Sequence, residues 1–173
     1  EKVICRVGNS LQIACDIAGK PTPRITWDQD NHELKSDDRI RVKNTGTSSV
    51  ISINDAIRSD SGLYHVKVEN VAGCRTGKVE VVIADKPSTV RNLDVLEVTR
   101  ENVFLTWDDP EDDGGESISN YVVEKKDMQR MMWLTVNNAC LKNEIRISKL
   151  RENGEFQFRV MAENSYGLSD PVD

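Results

Sequence analysis

Apolar side chains recur at every second position along almost the whole chain, and turn residues interrupt them every eight to twelve positions. Leu11, Ile13, Cys15 and Ile17 share one parity with Gln12 and Asp16 on the other, and Tyr64, Val66 and Val68 alternate with His65, Lys67 and Glu69. No stretch carries the three-and-four spacing of an amphipathic helix. Short strands with one buried face, separated by turns, specify an all-β sandwich. The 173 residues suit two such sandwiches of roughly 100 residues each. The division is expected near Asp85-Lys86-Pro87, giving domains 1–85 and 86–173. On this reading the first domain begins inside an early strand (Val3 to Val7) and the second stops at Ser169-Asp170-Pro171-Val172 before its last strand finishes. A junction with so few spare residues predicts a semi-rigid pair.

The first half has the landmarks of an immunoglobulin sandwich. Cys15 and Trp27 lie twelve residues apart, and Ile25 and Trp27 follow the turn Gly19-Lys20-Pro21-Thr22-Pro23. Asp60-Ser61-Gly62-Leu63-Tyr64-His65-Val66 resembles the D-x-G-x-Y-x-C turn and strand of that fold. The resemblance implies a tyrosine corner at Tyr64, whose hydroxyl returns to upstream backbone. It also implies that Val66 stands where a second cysteine would bridge the sheets to Cys15. A sandwich without that staple points to a compartment in which thiols stay reduced. The first and last strands of such a fold run side by side, which leaves a Cys5–Cys74 bridge as the alternative to four free thiols. No Asn-x-Ser/Thr acceptor occurs, in keeping with an unglycosylated setting.

The second half repeats the architecture with other landmarks: Val103, Leu105 and Trp107 on one strand, then Tyr121 and Val123, Trp133, Leu150, and Phe156, Phe158, Val160 and Ala162 on a long strand. This order resembles a fibronectin type III domain, with Phe156 at a corner position usually held by tyrosine. That substitution forfeits a hydrogen bond worth about 1 kcal/mol. Both halves end the long strand alike, in Asn70-Val71-Ala72-Gly73 and Asn164-Ser165-Tyr166-Gly167, where a terminal glycine supplies the positive φ of a tight hairpin. An intermediate-set immunoglobulin domain joined directly to a fibronectin type III domain is the building unit of titin-like giant muscle proteins. Trp107-Asp108-Asp109-Pro110-Glu111-Asp112-Asp113-Gly114-Gly115, Asn120-Tyr121-Val122-Val123-Glu124-Lys125 and Phe158-Arg159-Val160-Met161-Ala162-Glu163-Asn164 are similar to their A-band and M-band modules. The resemblance implies a non-enzymatic, load-bearing spacer and scaffold in the cytoplasm, along the thick filament or M-band of the sarcomere. The implied partners are myosin, other thick-filament or M-band proteins, and adjacent modules of the same chain. The rival reading is an ectodomain fragment of a cell-adhesion receptor.

The expected core landmarks are Cys15, Trp27, Tyr64, Val66, Trp107, Tyr121, Trp133 and Phe156. Two stretches are candidates for facing a partner. Asp108, Asp109, Glu111, Asp112 and Asp113 form an acidic loop at the pole nearest the preceding domain, but their spacing matches no calcium loop. Met131 and Met132, beside Met128, Arg130 and Trp133, either pack beneath the loop before Trp133 or offer an adaptable apolar patch. His32 and His65, on a loop and an outward strand position, lack ligand-spaced companions. No nucleophile–base arrangement, Gly-rich phosphate loop or kinase motif occurs, so neither catalysis nor a cofactor is expected. Residues 1–86 carry a net +1 and residues 87–173 a net −7, which is no footprint for nucleic acid. No apolar run reaches the roughly 20 residues of a membrane-spanning helix.

Overall fold

The computed structural model describes all 173 residues, which divide into two compact units, Glu1–Ala84 and Asp85–Asp173. Each is a sandwich of two sheets.

In the first unit the strands are β1 (Lys2–Arg6), β2 (Leu11–Asp16), β3 (Arg24–Gln29), β4 (His32–Glu33), β5 (Ile40–Asn44), β6 (Ser48–Ile53), β7 (Gly62–Asn70) and β8 (Gly73–Ala84). One sheet runs β1-β8-β7-β3-β4 and the other β2-β6-β5. Alternation along β2 and β6 sends Leu11, Ile13, Ile51 and Ile53 inward, where they meet Trp27, Tyr64, Val66, Val79, Val81 and Ile83 from the facing sheet. Cys15 is half-buried against this cluster, and its thiol pKa is raised chiefly by burial. Trp27 lies opposite Val66 in the β3–β7 ladder. Its indole nitrogen donates across the interior to Ser49 Oγ at 2.8 Å, and the Ser49 hydroxyl donates to Asn44 Oδ1 at 2.5 Å. The sheets are therefore joined by a buried hydrogen bond beside the site where Cys15 has no sulfur partner.

The first and last strands do lie side by side, but their parallel register pairs Cys5 with Ile83. Cys74 sits nine residues earlier on β8 (83 − 74), about 30 Å along an extended strand. The Cys5–Cys74 bridge is thus excluded by register, and all four cysteines are free.

The tight turn before β7 is organised by Asp60, 3% exposed. Its carboxylate accepts two bonds from the Arg39 guanidinium, at 2.7 and 2.9 Å, and a third from Ile57 N at 2.8 Å. Its carbonyl accepts the Tyr64 hydroxyl at 2.7 Å, which closes the corner. Burial, followed by the Asp60 charge, pushes the Tyr64 pKa well above the ordinary phenol range.

The second unit contains β9 (Arg91–Val98), β10 (Val103–Asp108), β11 (Asn120–Asp127), β12 (Met132–Cys140), β13 (Glu144–Ile147), β14 (Phe156–Asn164) and β15 (Gly167–Leu168). Its sheets run β13-β10-β9 and β12-β11-β14-β15. Leu105, Trp107, Tyr121, Val123, Ile147, Leu150, Val160 and Ala162 fill the interior. Trp107 and Tyr121 meet edge-on, with ring centroids 5.4 Å apart, while the Trp107 indole nitrogen is buried without a hydrogen-bond partner. Phe156 is half-buried, stacks with Phe158 at 6.4 Å and packs on the rim of this cluster. Trp133, expected in the core, lies outside it. It pairs with Lys126 on the outer face of the sheet, where the Arg159 guanidinium sits 4.1 Å and the Lys126 ammonium 4.9 Å from its ring.

Both long strands end in the same hairpin. Asn70 pairs with Gly73 and Asn164 with Gly167; the asparagine carboxamide oxygen accepts backbone N–H groups of the turn, and both glycines have φ near +150°.

Replacing Asp60 by alanine removes the buried carboxylate that accepts from Arg39 and from Ile57 N and is expected to cost about 2 kcal/mol. Tyr64→Phe, which loses one hydrogen bond, is expected to cost about 1 kcal/mol. Urea unfolding of the first unit measures both.

Candidate functional site

The acidic segment begins on β10 itself, since Asp108 is the last residue of that strand. Its carboxylate accepts a bond from Asn92 Nδ2 at 2.7 Å. Asp109 accepts from the Tyr121 hydroxyl and, at 2.7 Å, from Asn143 Nδ2. Those bonds, the tyrosine's first, hold the Asp109 pKa below the usual carboxylate range. Burial of Tyr121, then its bond to Asp109, drives the phenol pKa far upward. Asp109, exposed as expected of a solvated loop, is also the acceptor that satisfies the polar end of a core tyrosine.

Asp112 and Asp113 are likewise used to shape the loop. Their carboxylates cap the N–H groups of Gly114 and Gly115 at 3.0 and 2.8 Å, and their carbonyls accept from Ser88 N at 2.9 Å and Asn164 Nδ2 at 2.8 Å. Asn164 Nδ2 also donates to Asp85 O at 2.8 Å, so one buried amide fastens the loop to the first residue of the unit. Gly114, at φ +83°, is pressed so close that a Cβ would lie 2.1 Å from the Asp85 carbonyl oxygen. Glu111 lies at the tip and, like the other four acids of the loop, is exposed. Around the loop lies an open cavity of about 590 Å³, completed by Ser119, Asn120, Leu141 and Asn143. No three histidine, cysteine or acidic side chains are arranged to hold a metal ion.

Met131 and Met132 are not packed beneath their loop: they are 63% and 56% exposed. Met131 takes φ +55° in the turn between β11 and β12. Met128 is half-buried. His32 falls on the short strand β4 with its ring against the Asp30 carbonyl, and His65 sits 3.2 Å from the Asp28 carboxylate. A feature not singled out in the sequence is the basic rim around Met132, formed by Lys125, Arg130, Lys149 and Arg151. These residues come from β11, the following turn and the segment before β14, and no local motif unites them.

Comparison with known proteins follows the two units. Residues 1–83 match the immunoglobulin I-set domain and residues 85–173 the fibronectin type III domain. Slow-type myosin-binding protein C of Homo sapiens is 35% identical over 167 residues, which is 96% of this chain and 14% of that protein. Titin of Drosophila melanogaster is 32% identical over 170 residues, 97% of this chain and 1% of that protein. Among solved structures, titin domains A168-A170 align with a TM-score of 0.59 at 34% identity, covering 99% of this chain and 59% of that one. The chain therefore spans only a small part of the curated relatives it matches.

Gly114→Ala combines a clash with backbone and a left-handed conformation, and is expected to destabilise the second unit by at least about 2 kcal/mol. Asp109 gives a pH signature. Its folded pKa is depressed, so its contribution is present above the unfolded value of about 4 and is lost as pH falls through the lower folded value. Thermal melts of the second unit at descending pH should show that acid-limb loss in the native chain and a flatter acid limb in Asp109→Ala.

Proposed function

The chain belongs to the immunoglobulin I-set and fibronectin type III families, one in each half, and from that premise we propose a load-bearing spacer and docking module of a giant muscle protein. Both modules are non-catalytic. Their setting in this proposal is the cytoplasm of striated muscle, along the A-band or M-band of the sarcomere. The partners are myosin or other thick-filament proteins, together with adjacent modules of the same chain. Relatives named for myosin binding and for titin support this reading, as do four cysteines that are free rather than bridged.

The observation that carries the mechanical part is the pairing of β1 with β8. The two strands run parallel, in register from Lys2 with Glu80 to Arg6 with Ala84. Further bonds flank them, from Glu80 N to Glu1 O and from Val7 N to Ala84 O, each at 2.9 Å. Tension applied at the two ends of the unit acts along these strands in opposite directions. It loads the whole ladder in shear instead of opening one bond at a time.

Single-molecule stretching tests the idea. Val7→Pro, which deletes the N–H that bonds Ala84, should lower the unfolding force of the first unit and leave the second unchanged; an unaltered force would remove the basis for the load-bearing role. Localisation of an antibody raised against residues 1–173 tests the setting, with regular sarcomeric stripes expected and labelling of unpermeabilised cells contradicting it. Thiol titration separates the muscle reading from a secreted ectodomain. Four reactive thiols per chain are expected after unfolding without reductant, and before unfolding exposed Cys74 should react ahead of Cys15 and Cys140.

A further inference from the structure

β12 is an edge strand that lacks the usual protection. It terminates the sheet β12-β11-β14-β15, so one side of its backbone has no strand partner, and Met132-Trp133-Leu134-Thr135-Val136-Asn137-Asn138-Ala139-Cys140 contains neither a charge nor a proline. Natural sheets ordinarily blunt such an edge with lysine, proline or a bulge. Here the register shifts are confined to the far half, whereas Met132 to Thr135 pair with Asp127 to Glu124 without interruption.

Beside that regular half lies a hollow of about 230 Å³, floored by Met132, Leu134, Leu150 and Phe156. Its rim holds Lys125, Arg130, Lys149 and Arg151 against a single acid, Asp127. Asp127 is already engaged, accepting from Gln129 N at 2.9 Å and Arg151 Nη2 at 3.1 Å. Lys125, Arg130 and Lys149 have no carboxylate partner. Four of the ten basic residues in a half carrying a net −7 thus gather at one place. On the rim itself Lys149 holds a φ of +59°, a conformation of the kind found at binding sites.

We propose that β12 and this hollow dock an extended acidic segment of a partner protein. The segment adds a strand to the free edge from Met132 to Thr135, seats one large apolar side chain over Met132 and Leu134, and sets carboxylates beside Arg130 and Lys149. Backbone pairing supplies register and the pocket supplies selectivity, as in other strand-addition complexes. The cationic rim selects acidic sequences and speeds their encounter. The hollow is a narrow, apolar-floored pit beside unpaired backbone, which suits a peptide better than a flat anionic membrane. This gives a partner chemistry to the docking role and rests on that part of the reading above, while remaining independent of the load-bearing part. The peptide test and the stretching test therefore fail separately.

The probe is a fluorescein-labelled peptide of about eight residues, alternating glutamate with apolar side chains around a central leucine. It is titrated against the 173-residue chain by anisotropy and by amide chemical shifts. Saturable binding with shifts confined to 125–135 and 149–151 is expected, weakening about tenfold in the double variant Arg130→Glu, Lys149→Glu and falling with added salt. Lys149→Gly, which keeps the left-handed backbone while removing the charge, should weaken binding without disturbing the fold. Absence of saturation, equal binding of a peptide with lysine in place of glutamate, unchanged affinity in the double variant, or displacement of the peptide by phosphatidylserine vesicles would each overturn the proposal.

Discussion

Everything in the first sandwich depends on holding two sheets together without a covalent link between them. Trp27 does this in two ways. Its ring fills the space between the sheets beside Val66, and its N–H reaches Ser49 on the opposite sheet. Ser49 passes the connection to Asn44, so no polar atom in the chain of contacts is left without a partner. Valine in place of a sulfur keeps the interior dry and close-packed, the condition under which a single buried hydrogen bond is most effective. Cys15, half-buried and with its thiol pKa raised chiefly by burial, remains as an apolar filler.

The second sandwich solves a related problem differently. Trp107 leaves its indole nitrogen without a partner, and the polar satisfaction of the core is concentrated on Tyr121. Its hydroxyl is met by Asp109, which is also bonded by Asn143. The acidic loop is therefore braced by its own side chains while all five of its acids stay exposed.

Period-two alternation reveals which residues share a face, and that was enough to place Trp27, Tyr64, Val66, Trp107 and Tyr121 inward. It fails where consecutive residues are all apolar. Met132, Trp133 and Leu134 give no parity of their own, so nothing local says that Trp133 faces outward between two cations. The engagement of Asp109 was equally hidden, because Tyr121 and Asn143 are distant in sequence and meet it only through the tertiary fold. The same holds for the basic rim, whose members lie on separate segments. The Tyr64 corner and the paired hairpins were visible because their determinants are neighbours along the chain.

Those hairpins have a consequence for how such chains diversify. At Asn70-Val71-Ala72-Gly73 the geometry is set entirely by the flanks: the Asn70 carboxamide holds the turn backbone and Gly73 supplies the left-handed bend. The two residues between them are exposed, Val71 at 92%, and carry no structural duty. A module built this way carries two variable positions on a fixed support. The same frame recurs at Asn164-Ser165-Tyr166-Gly167 with different residues between the same asparagine and glycine, so the inner pair can vary from one sandwich to the other while the turn keeps its shape.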